Sequence, residues 1–230
     1  MSPPTPRRRR RCCNHERTRF QRRERAAIYR AIGERRDMRH FAGGTVAPEL
    51  LGRLLAAAHQ APSVGLMQPW RFIRISQREL RQRIQALVEQ ERVRTAEALG
   101  ERSDDFMKLK VEGIDDCAEV LVAALMDNRE PHVFGRRTLP EMDLASLACA
   151  IQNLWLAARA EGLGMGWVSL FDPQALAELL GMPAGAKPVA VLCLGPVTAF
   201  YPAPMLALEH WAEERPLSEM LYENQWGERP

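Results

Sequence analysis

The chain has 230 residues, of which 46% are apolar, and a net charge of +3. This length suits one domain with appendages, and the apolar share is enough for a sizeable core. No segment approaches the roughly 18 consecutive apolar residues that a membrane span needs, so we expect no membrane insertion. The charge is uneven, because residues 1–30 hold eleven arginines against two glutamates, which leaves −6 on the rest. A mildly acidic body argues against a general nucleic-acid binder.

The first 23 residues are strongly basic, and we separate them from one domain at residues 24–230. They lack the apolar run of about 7–15 residues that a secretory signal contains. We expect a disordered, solvated arm, or upstream sequence introduced by a wrong choice of start site. A tether to nucleic acid or to an anionic surface is an alternative, and a transit peptide is another.

Five cysteines are present, and none belongs to a CxxC pair or to a Cys/His cluster with zinc spacing. We therefore expect no metal site. An odd number of cysteines without a disulfide framework indicates a reducing compartment, so we expect a cytoplasmic protein.

Apolar residues at helical spacing predict five helices along the chain. They cover residues 24–36, about 45–61, 77–99, 144–161 and 172–181. Asp143 precedes the fourth helix and is its expected N-cap. That helix is apolar almost all round, which predicts that it is the central helix of the fold.

Four short segments rich in aromatic and β-branched residues predict strands. They are residues 69–76, 118–126, 164–171 and 188–195. Helices and strands alternate without a strict βαβ rhythm, which predicts an α+β arrangement in layers. The sequence contains neither GxGxxG after a strand nor GxxxxGK(S/T), so neither a dinucleotide-binding site nor a P-loop is indicated.

Two segments fit neither pattern. Residues 100–116 are charged and weakly periodic, which makes them a candidate lid. The last 35 residues, 196–230, are rich in proline and aromatic side chains but have little periodicity. We expect this tail to wrap a surface, such as that of a second subunit.

The segment RRDMRHF, residues 35–41, places three arginines around one aspartate. Guanidinium groups suit phosphate because each can donate two charge-assisted hydrogen bonds to it. An acid at Asp37 weakens that positive field. It either tethers the arginines as a salt-bridge partner or takes part in chemistry beside the ligand that they hold. The residues alone leave both interpretations open.

Two further segments carry polar groups beside glycines. HQAPSVGLMQPWRF (59–72) contains a turn that would present the Ser63 hydroxyl to a planar ligand, or it is an ordinary helix-to-strand turn. His59 is expected to be a capping or core residue and not a metal ligand. In GLGMGWVSLF (162–171), glycines would let a ligand approach the backbone, and Ser169 would lie in a central strand. The alternative is a tightly packed strand in which the Ser169 hydroxyl is hydrogen-bonded within the protein.

Taken together, the patterns RRxxRxF, APSxxxxQPW and GWxS resemble the nitroreductase-like flavoproteins. The resemblance covers residues 24–228 and includes longer blocks, AAHQAPSVGLMQPW, CAIQNLWLAARAEGLGMGWVSLF and ENQWG. Within that family, these blocks are similar to the flavin destructases that make 5,6-dimethylbenzimidazole. The resemblance implies helices around a central, mostly antiparallel sheet. It also implies an intertwined homodimer with FMN at its interface.

By the same resemblance, the expected activity is the O2-dependent fragmentation of reduced FMN, which is a substrate. The expected products are 5,6-dimethylbenzimidazole, the lower ligand of cobalamin, and erythrose 4-phosphate. A flavin reductase would supply the reduced FMN, and no nucleic-acid partner is expected. A conventional FMN-dependent NAD(P)H nitroreductase is the alternative. A binding protein that keeps the flavin fold without its chemistry is a third.

The resemblance assigns catalytic roles to Asp37 and Ser169. Ordinary nitroreductases commonly have serine where Asp37 stands, whereas the destructases have aspartate. Contacts with FMN are implied for Arg35, Arg36, Asp37, Met38, Arg39, Ser63, Met107, Leu109 and Ser169. Fragmenting a flavin needs several proton transfers, which a carboxylate beside the ring can mediate. We expect the nearby cations to keep Asp37 ionised.

Overall fold

The computed structural model describes residues 19–228. The predicted arm, residues 1–23, lies outside the described residues except for its last five. The first helix begins at Arg22, two residues before its predicted start. The reason is local, because the Glu24 carboxylate accepts a hydrogen bond of 2.7 Å from the Gln21 N–H. This contact satisfies an amide that has no partner within the helix.

The described residues form seven helices and four strands. The helices are α1 (Arg22–Glu34), α2 (Pro48–His59), α3 (Arg78–Leu99), α4 (Ser103–Lys108), α5 (Met142–Ala160), α6 (Pro173–Leu179) and α7 (Met205–Leu208). The strands are β1 (Trp70–Ile75), β2 (Glu119–Leu125), β3 (Gly164–Val168) and β4 (Lys187–Gly195). Neighbouring strands pair antiparallel in the order β1-β2-β4-β3. This confirms the expected α+β fold with its antiparallel sheet.

Helices cover both faces of the sheet. Alternate residues of β2 point to opposite sides, as strand geometry requires, so Leu121 faces α2 and α5 while Val122 faces α3 and α6. Leu147, Ile151 and Leu154 of α5 are fully buried, as expected for the central helix. Burying a side chain of this size stabilises the fold by about 1.5–3 kcal/mol. No helix within residues 19–228 is long and apolar enough to cross a membrane.

The position of β3 differs from the prediction. The motif was expected in a central strand, but β3 lies at the edge of the sheet and ends at Val168. Ser169 therefore lies just beyond the strand. The strand is nevertheless buried, because the segment around Asp37 covers its outer edge through a short parallel bridge to Met165. Burial on all sides made an edge strand look central in the sequence.

The start of α5 is a second correction. Asp143 is not the N-cap; it lies inside the first turn, after Glu141 and Met142. Its buried carboxylate pairs with Arg129 at 2.9 Å and with Arg136 at 3.1 Å. Two arginines of the preceding loop therefore hold the side chain that would otherwise cap the helix. An acid in the first turn still complements the helix dipole.

Candidate active site

A cavity of about 540 Å³ opens at the end of β3. Its size lies within the range of about 300–1,000 Å³ that is common for small-molecule sites. Six of the residues predicted to form the site line it: Arg35, Arg36, Asp37, Arg39, Leu109 and Ser169. The structure thus brings together side chains that are more than 130 positions apart in sequence, including both predicted catalytic residues.

Asp37 and Arg39 form a closed hydrogen-bonded unit with Trp167 of β3. The Arg39 guanidinium donates to both carboxylate oxygens of Asp37, each at 2.7 Å. The Trp167 N–H donates to Asp37 Oδ1 at 2.9 Å, and the Trp167 carbonyl accepts from Arg39 Nη2 at 2.8 Å. The main-chain N–H and the main-chain carbonyl of Trp167 are therefore both hydrogen-bonded to the Asp37–Arg39 pair. Bidentate geometry of this kind fixes orientation as well as charge.

Gly166 makes this unit possible. A Cβ at that position would lie 2.2 Å from the Met38 carbonyl oxygen and 2.6 Å from Arg39 Nη1. A Cβ at Gly164 would lie 2.4 Å from Val197. The glycines of β3 were expected to let a ligand approach the backbone, whereas in the structure the chain itself fills that space. Their role is to let residues 37–39 pack against the strand.

Burial of the Asp37 carboxyl raises its pKa above the ordinary value of 3.8. The charge of Arg39, the Trp167 N–H, the Arg39 hydrogen bond and the more distant Arg35 act in the opposite direction without offsetting it. Burial therefore outweighs the nearby cations in setting the pKa of Asp37, and the expectation that these cations keep Asp37 ionised stays a prediction. Loss of water costs the charged form more than the ion pair returns. A carboxylate with a raised pKa is a better proton acceptor than an ordinary aspartate.

Arg35 and Arg36 differ from Arg39 because neither has a carboxylate partner within the described residues. The Arg35 guanidinium lies 4.6 Å from the centre of the Trp155 ring. Arg36 donates to the carbonyls of Gly33 and Arg35, each at 2.8 Å, through Nη1. Its charge, like that of Arg35, remains available to an anionic ligand in the cavity.

Buried Nε atoms of Arg36 and Arg39 have no hydrogen-bond partner within the described residues. Buried unpaired donors are costly, and a bound acceptor would satisfy them. Apolar side chains, among them Val111 and Leu170, complete the wall. An anionic tail beside guanidinium groups and a flat ring beside apolar side chains match these features. The cavity therefore fits a flavin phosphate ester such as FMN.

Ser169 lines the cavity where β3 ends. The residue is exposed, and its main-chain carbonyl accepts a hydrogen bond of 3.2 Å from the Phe171 N–H. The last β3–β4 pair is Val168 with Val191, so the chain leaves the sheet directly before the serine. Ser169 is therefore not part of the sheet's hydrogen-bonding ladder.

The candidate lid contributes Phe106, Leu109, Lys110 and Val111 to the cavity. It contains a short 3-10 turn and α4, and Arg92 of α3 holds the carbonyls of Met107 and Leu109. The Arg92 side chain thus ties the main chain of the lid to α3. Its apolar side chains form one wall of the site.

The tail supplies a further part of the wall, which the sequence did not reveal. Residues 204–206 around α7, Trp211 and Glu214 line the cavity. The Trp211 ring lies 5.9 Å from that of Phe106, and the Arg102 guanidinium lies 3.6 Å from its centre. Lid and tail therefore contact each other at the wall of the cavity. The only signal was that the tail is rich in aromatic residues without being periodic.

Three predicted FMN contacts lie elsewhere. Met38 is buried, with its side chain packed against Gly164. The Ser63 hydroxyl accepts a hydrogen bond of 3.0 Å from the Gln68 N–H, inside its own turn. Met107 is exposed and is not among the residues that line the cavity. Within one chain, none of the three lines this cavity.

Comparison with known proteins identifies the family. A model described as the nitroreductase family matches residues 32–196. The chain belongs to the nitroreductase family. The matched region contains the Asp37–Arg39 segment, the lid and all four strands, so the cavity lies largely within the family domain.

The curated relatives narrow the comparison within the nitroreductase family. The chain is 41% identical to a 5,6-dimethylbenzimidazole synthase of Rhodospirillum rubrum, over 79% of this chain and 87% of the relative. It is 37% identical to a 5,6-dimethylbenzimidazole synthase of Rhodobacter capsulatus, over 86% of this chain and 96% of the relative. Both alignments extend over most of each protein.

Solved structures agree with the nitroreductase fold. A BluB-like flavoprotein of Clostridium difficile 630 superposes with a TM-score of 0.67 at 18% identity, over 86% of this chain and 99% of the other. Iodotyrosine deiodinase bound to FMN and 3-iodo-L-tyrosine gives 0.63 at 22% identity, over 76% and 92%. At these identities the likeness establishes the fold alone.

Proposed function

We propose that this nitroreductase-family protein is a 5,6-dimethylbenzimidazole synthase. It fragments reduced FMN with O2 and releases 5,6-dimethylbenzimidazole and erythrose 4-phosphate. The observation that carries the proposal is Asp37, a half-buried carboxylate fixed in the wall of an arginine-lined cavity. Identities of 37–41% with curated synthases support the same conclusion.

Reduced FMN is the substrate in this proposal. It supplies the electrons that O2 accepts and the atoms of the benzimidazole. Arg35 and Arg36 would bind its anionic phosphate, because their charges have no carboxylate partner among the described residues. The apolar wall formed by Leu109 and Leu170 would lie against the flavin ring. Lid and tail would limit the entry of water, which protects reactive species from hydrolysis.

Asp37 acts as the proton acceptor. Its raised pKa makes it a stronger base than an ordinary aspartate. Its two hydrogen bonds to Arg39 hold the carboxylate oxygens in one orientation. Arg39 stabilises the carboxylate before transfer and offsets negative charge on the anionic reduced flavin. Ser169 orients the substrate by hydrogen bonding. Ser169 lines the same cavity at the end of β3.

The proposal includes a homodimer. Apolar side chains remain exposed on α1, where Ile28 is 46% and Ile32 is 48% accessible, and on the tail, where Trp226 is 92% accessible. Ile28 and Ile32 lie one turn apart on the same face of α1, and neighbouring exposed apolar side chains are typical of an interaction site. A second copy would cover these residues and could bring its own Ser63 turn to the flavin. A cytoplasmic setting with a separate flavin reductase completes the proposal.

Product analysis tests this function. Purified protein receives photoreduced FMN under air, and mass spectrometry quantifies flavin and products against a control with oxidised FMN. The proposal predicts that 5,6-dimethylbenzimidazole accumulates as flavin disappears, and that Ser169→Ala, but not exposed Ser76→Ala, reduces its yield. Retention of the flavin, together with steady NAD(P)H-driven reduction of nitroaromatic compounds, would instead assign a conventional nitroreductase.

A further inference from the structure

The Tyr201 hydroxyl contacts the main chain of the site-bearing segment. The N–H groups of Arg39 and His40 both donate to its oxygen, at 3.1 Å and 3.2 Å. The same oxygen lies 2.7 Å from Nδ1 of His40. Tyr201 is about 160 residues away in sequence, in the first part of the tail. One side chain therefore binds two consecutive amides next to Asp37.

Hydrogen-bond accounting fixes the roles in this cluster. A tyrosine hydroxyl has one hydrogen and two lone pairs. Two amide donors use its acceptor positions, so its own hydrogen is donated to His40 Nδ1. The imidazole edge also packs against the phenol ring, with ring centres 6.0 Å apart. The hydroxyl hydrogen and both lone pairs of Tyr201 are thus used in hydrogen bonds to Arg39 and His40.

The tail runs beside the whole segment that contains the site. Arg36 Nη2 donates to the Pro202 carbonyl at 3.2 Å, and the Ala42 N–H donates to the Pro196 carbonyl at 2.9 Å. On the opposite side, the Met38 N–H donates to the Met165 carbonyl of β3 at 3.0 Å. The segment is held by β3 on one side and by the tail on the other. Tyr201 supplies the contact directly at Arg39.

We propose that Tyr201 is a positioning residue, whose hydroxyl fixes the main chain at Arg39 and His40 and so keeps the Arg39 guanidinium on Asp37. It touches neither the carboxylate nor the cavity, so it acts through Arg39. The part of this inference that concerns catalysis rests on the function proposed above. The part that concerns the ion pair does not.

A weaker Asp37–Arg39 ion pair should be detectable as a change in the pKa of Asp37. Arg39 is the largest of the influences that lower the pKa of Asp37, while burial raises it. Weakening the contact with Arg39 therefore raises that pKa further. The titration of Asp37, and the acid side of any activity profile that depends on it, should move to higher pH.

The test compares Tyr201→Phe with a matched control. Tyr201→Phe removes the hydroxyl but keeps the ring that packs against His40. Tyr29→Phe makes the same change at a side chain that is 74% accessible. His40→Ala removes the imidazole but leaves both amide bonds to Tyr201. Carbon-detected NMR of aspartate-labelled, flavin-free protein follows the Asp37 carboxyl, assigned by its absence in Asp37→Asn.

The inference predicts that the Asp37 titration midpoint is higher in Tyr201→Phe and unchanged in Tyr29→Phe and His40→Ala. It also predicts an approximately tenfold lower rate of product formation in Tyr201→Phe at neutral pH, with flavin binding within about threefold of wild type. An unchanged midpoint in Tyr201→Phe would overturn the inference. If the Asp37 midpoint is higher in Tyr201→Phe than in wild type but the wild-type protein forms no benzimidazole, the proposed function is contradicted and the positioning role of Tyr201 stands.

Discussion

Asp37 accepts the main-chain N–H of Trp167 in place of a neighbouring strand. The Met38 N–H first bonds to the Met165 carbonyl as a parallel strand would, and two residues further along β3 the Asp37 carboxylate binds the Trp167 N–H at 2.9 Å. The acid among the arginines is thus both part of the sheet edge and part of the cavity wall. One side chain therefore both tethers Arg39 and lines the cavity, so the two positions are compatible.

Asp37→Asn should abolish fragmentation without abolishing flavin binding. Asparagine can still accept the Trp167 N–H but cannot take up a proton from the substrate. General acid–base catalysis contributes about 100- to 10,000-fold, so benzimidazole formation should fall by at least about 100-fold. Fluorescence titration should place the FMN affinity within a few-fold of wild type. Asp127→Asn, in the loop after β2, is the control, and equal losses in both variants would contradict the role of Asp37.

The stability of the protein should depend on pH through Asp37, with a definite sign. Because burial raises the pKa of Asp37 above 3.8, the folded state retains a proton in a pH range where the unfolded chain has released it. The contribution of Asp37 to stability is therefore fully present below a pH of about 3.8 and is lost as the pH rises through the folded-state pKa of Asp37. Urea unfolding at several pH values should show wild type losing stability relative to Asp37→Asn as the pH increases. A relative gain would mean that the Arg39 ion pair outweighs burial.

Gly166→Ala should displace the segment that carries the site. The added methyl group would lie 2.2 Å from a main-chain oxygen of Met38, which cannot rotate away. Overpacking of this kind costs about 1–3 kcal/mol of stability. Gly52→Ala is the matched control, because its Cβ in α2 would meet nothing within 4 Å. Removing a helical glycine there should stabilise by about 0.5–1 kcal/mol. Equal unfolding free energies for the two variants, measured in urea, would refute the close contact.

Trp211→Ala should open the mouth of the cavity. The indole joins the tail to the lid through Phe106 and Arg102, so its loss frees both walls. Reduced flavin would then meet O2 in a wetter site and be oxidised without fragmentation. The ratio of hydrogen peroxide to benzimidazole should rise several-fold. Arg102→Gln should act in the same direction, since Arg102 also donates to the Trp211 carbonyl at 2.9 Å. An unchanged ratio in both would exclude a gating role.

Hydrophobic periodicity located most elements to within two residues, because local pattern decides them. Strand β2 was expected at 118–126 and spans Glu119–Leu125, where all seven residues are buried. The edge position of β3 was not predictable, because it depends on long-range pairing. Clustered charges located Asp37 in sequence, but the direction of its pKa shift depends on burial, which only the folded chain reveals. Tyr201 and Trp211 were missed because tertiary packing alone places them.

The most direct test of the central claim is a crystal structure with FMN bound. The account predicts that the isoalloxazine ring occupies the cavity at the end of β3, with an Asp37 oxygen and the Ser169 hydroxyl both within about 3.5 Å of flavin or of one bridging water. The phosphate should lie on Arg35 or Arg36. A flavin bound elsewhere, or an Asp37 carboxylate turned into bulk solvent with the ring beyond its reach, would contradict the account.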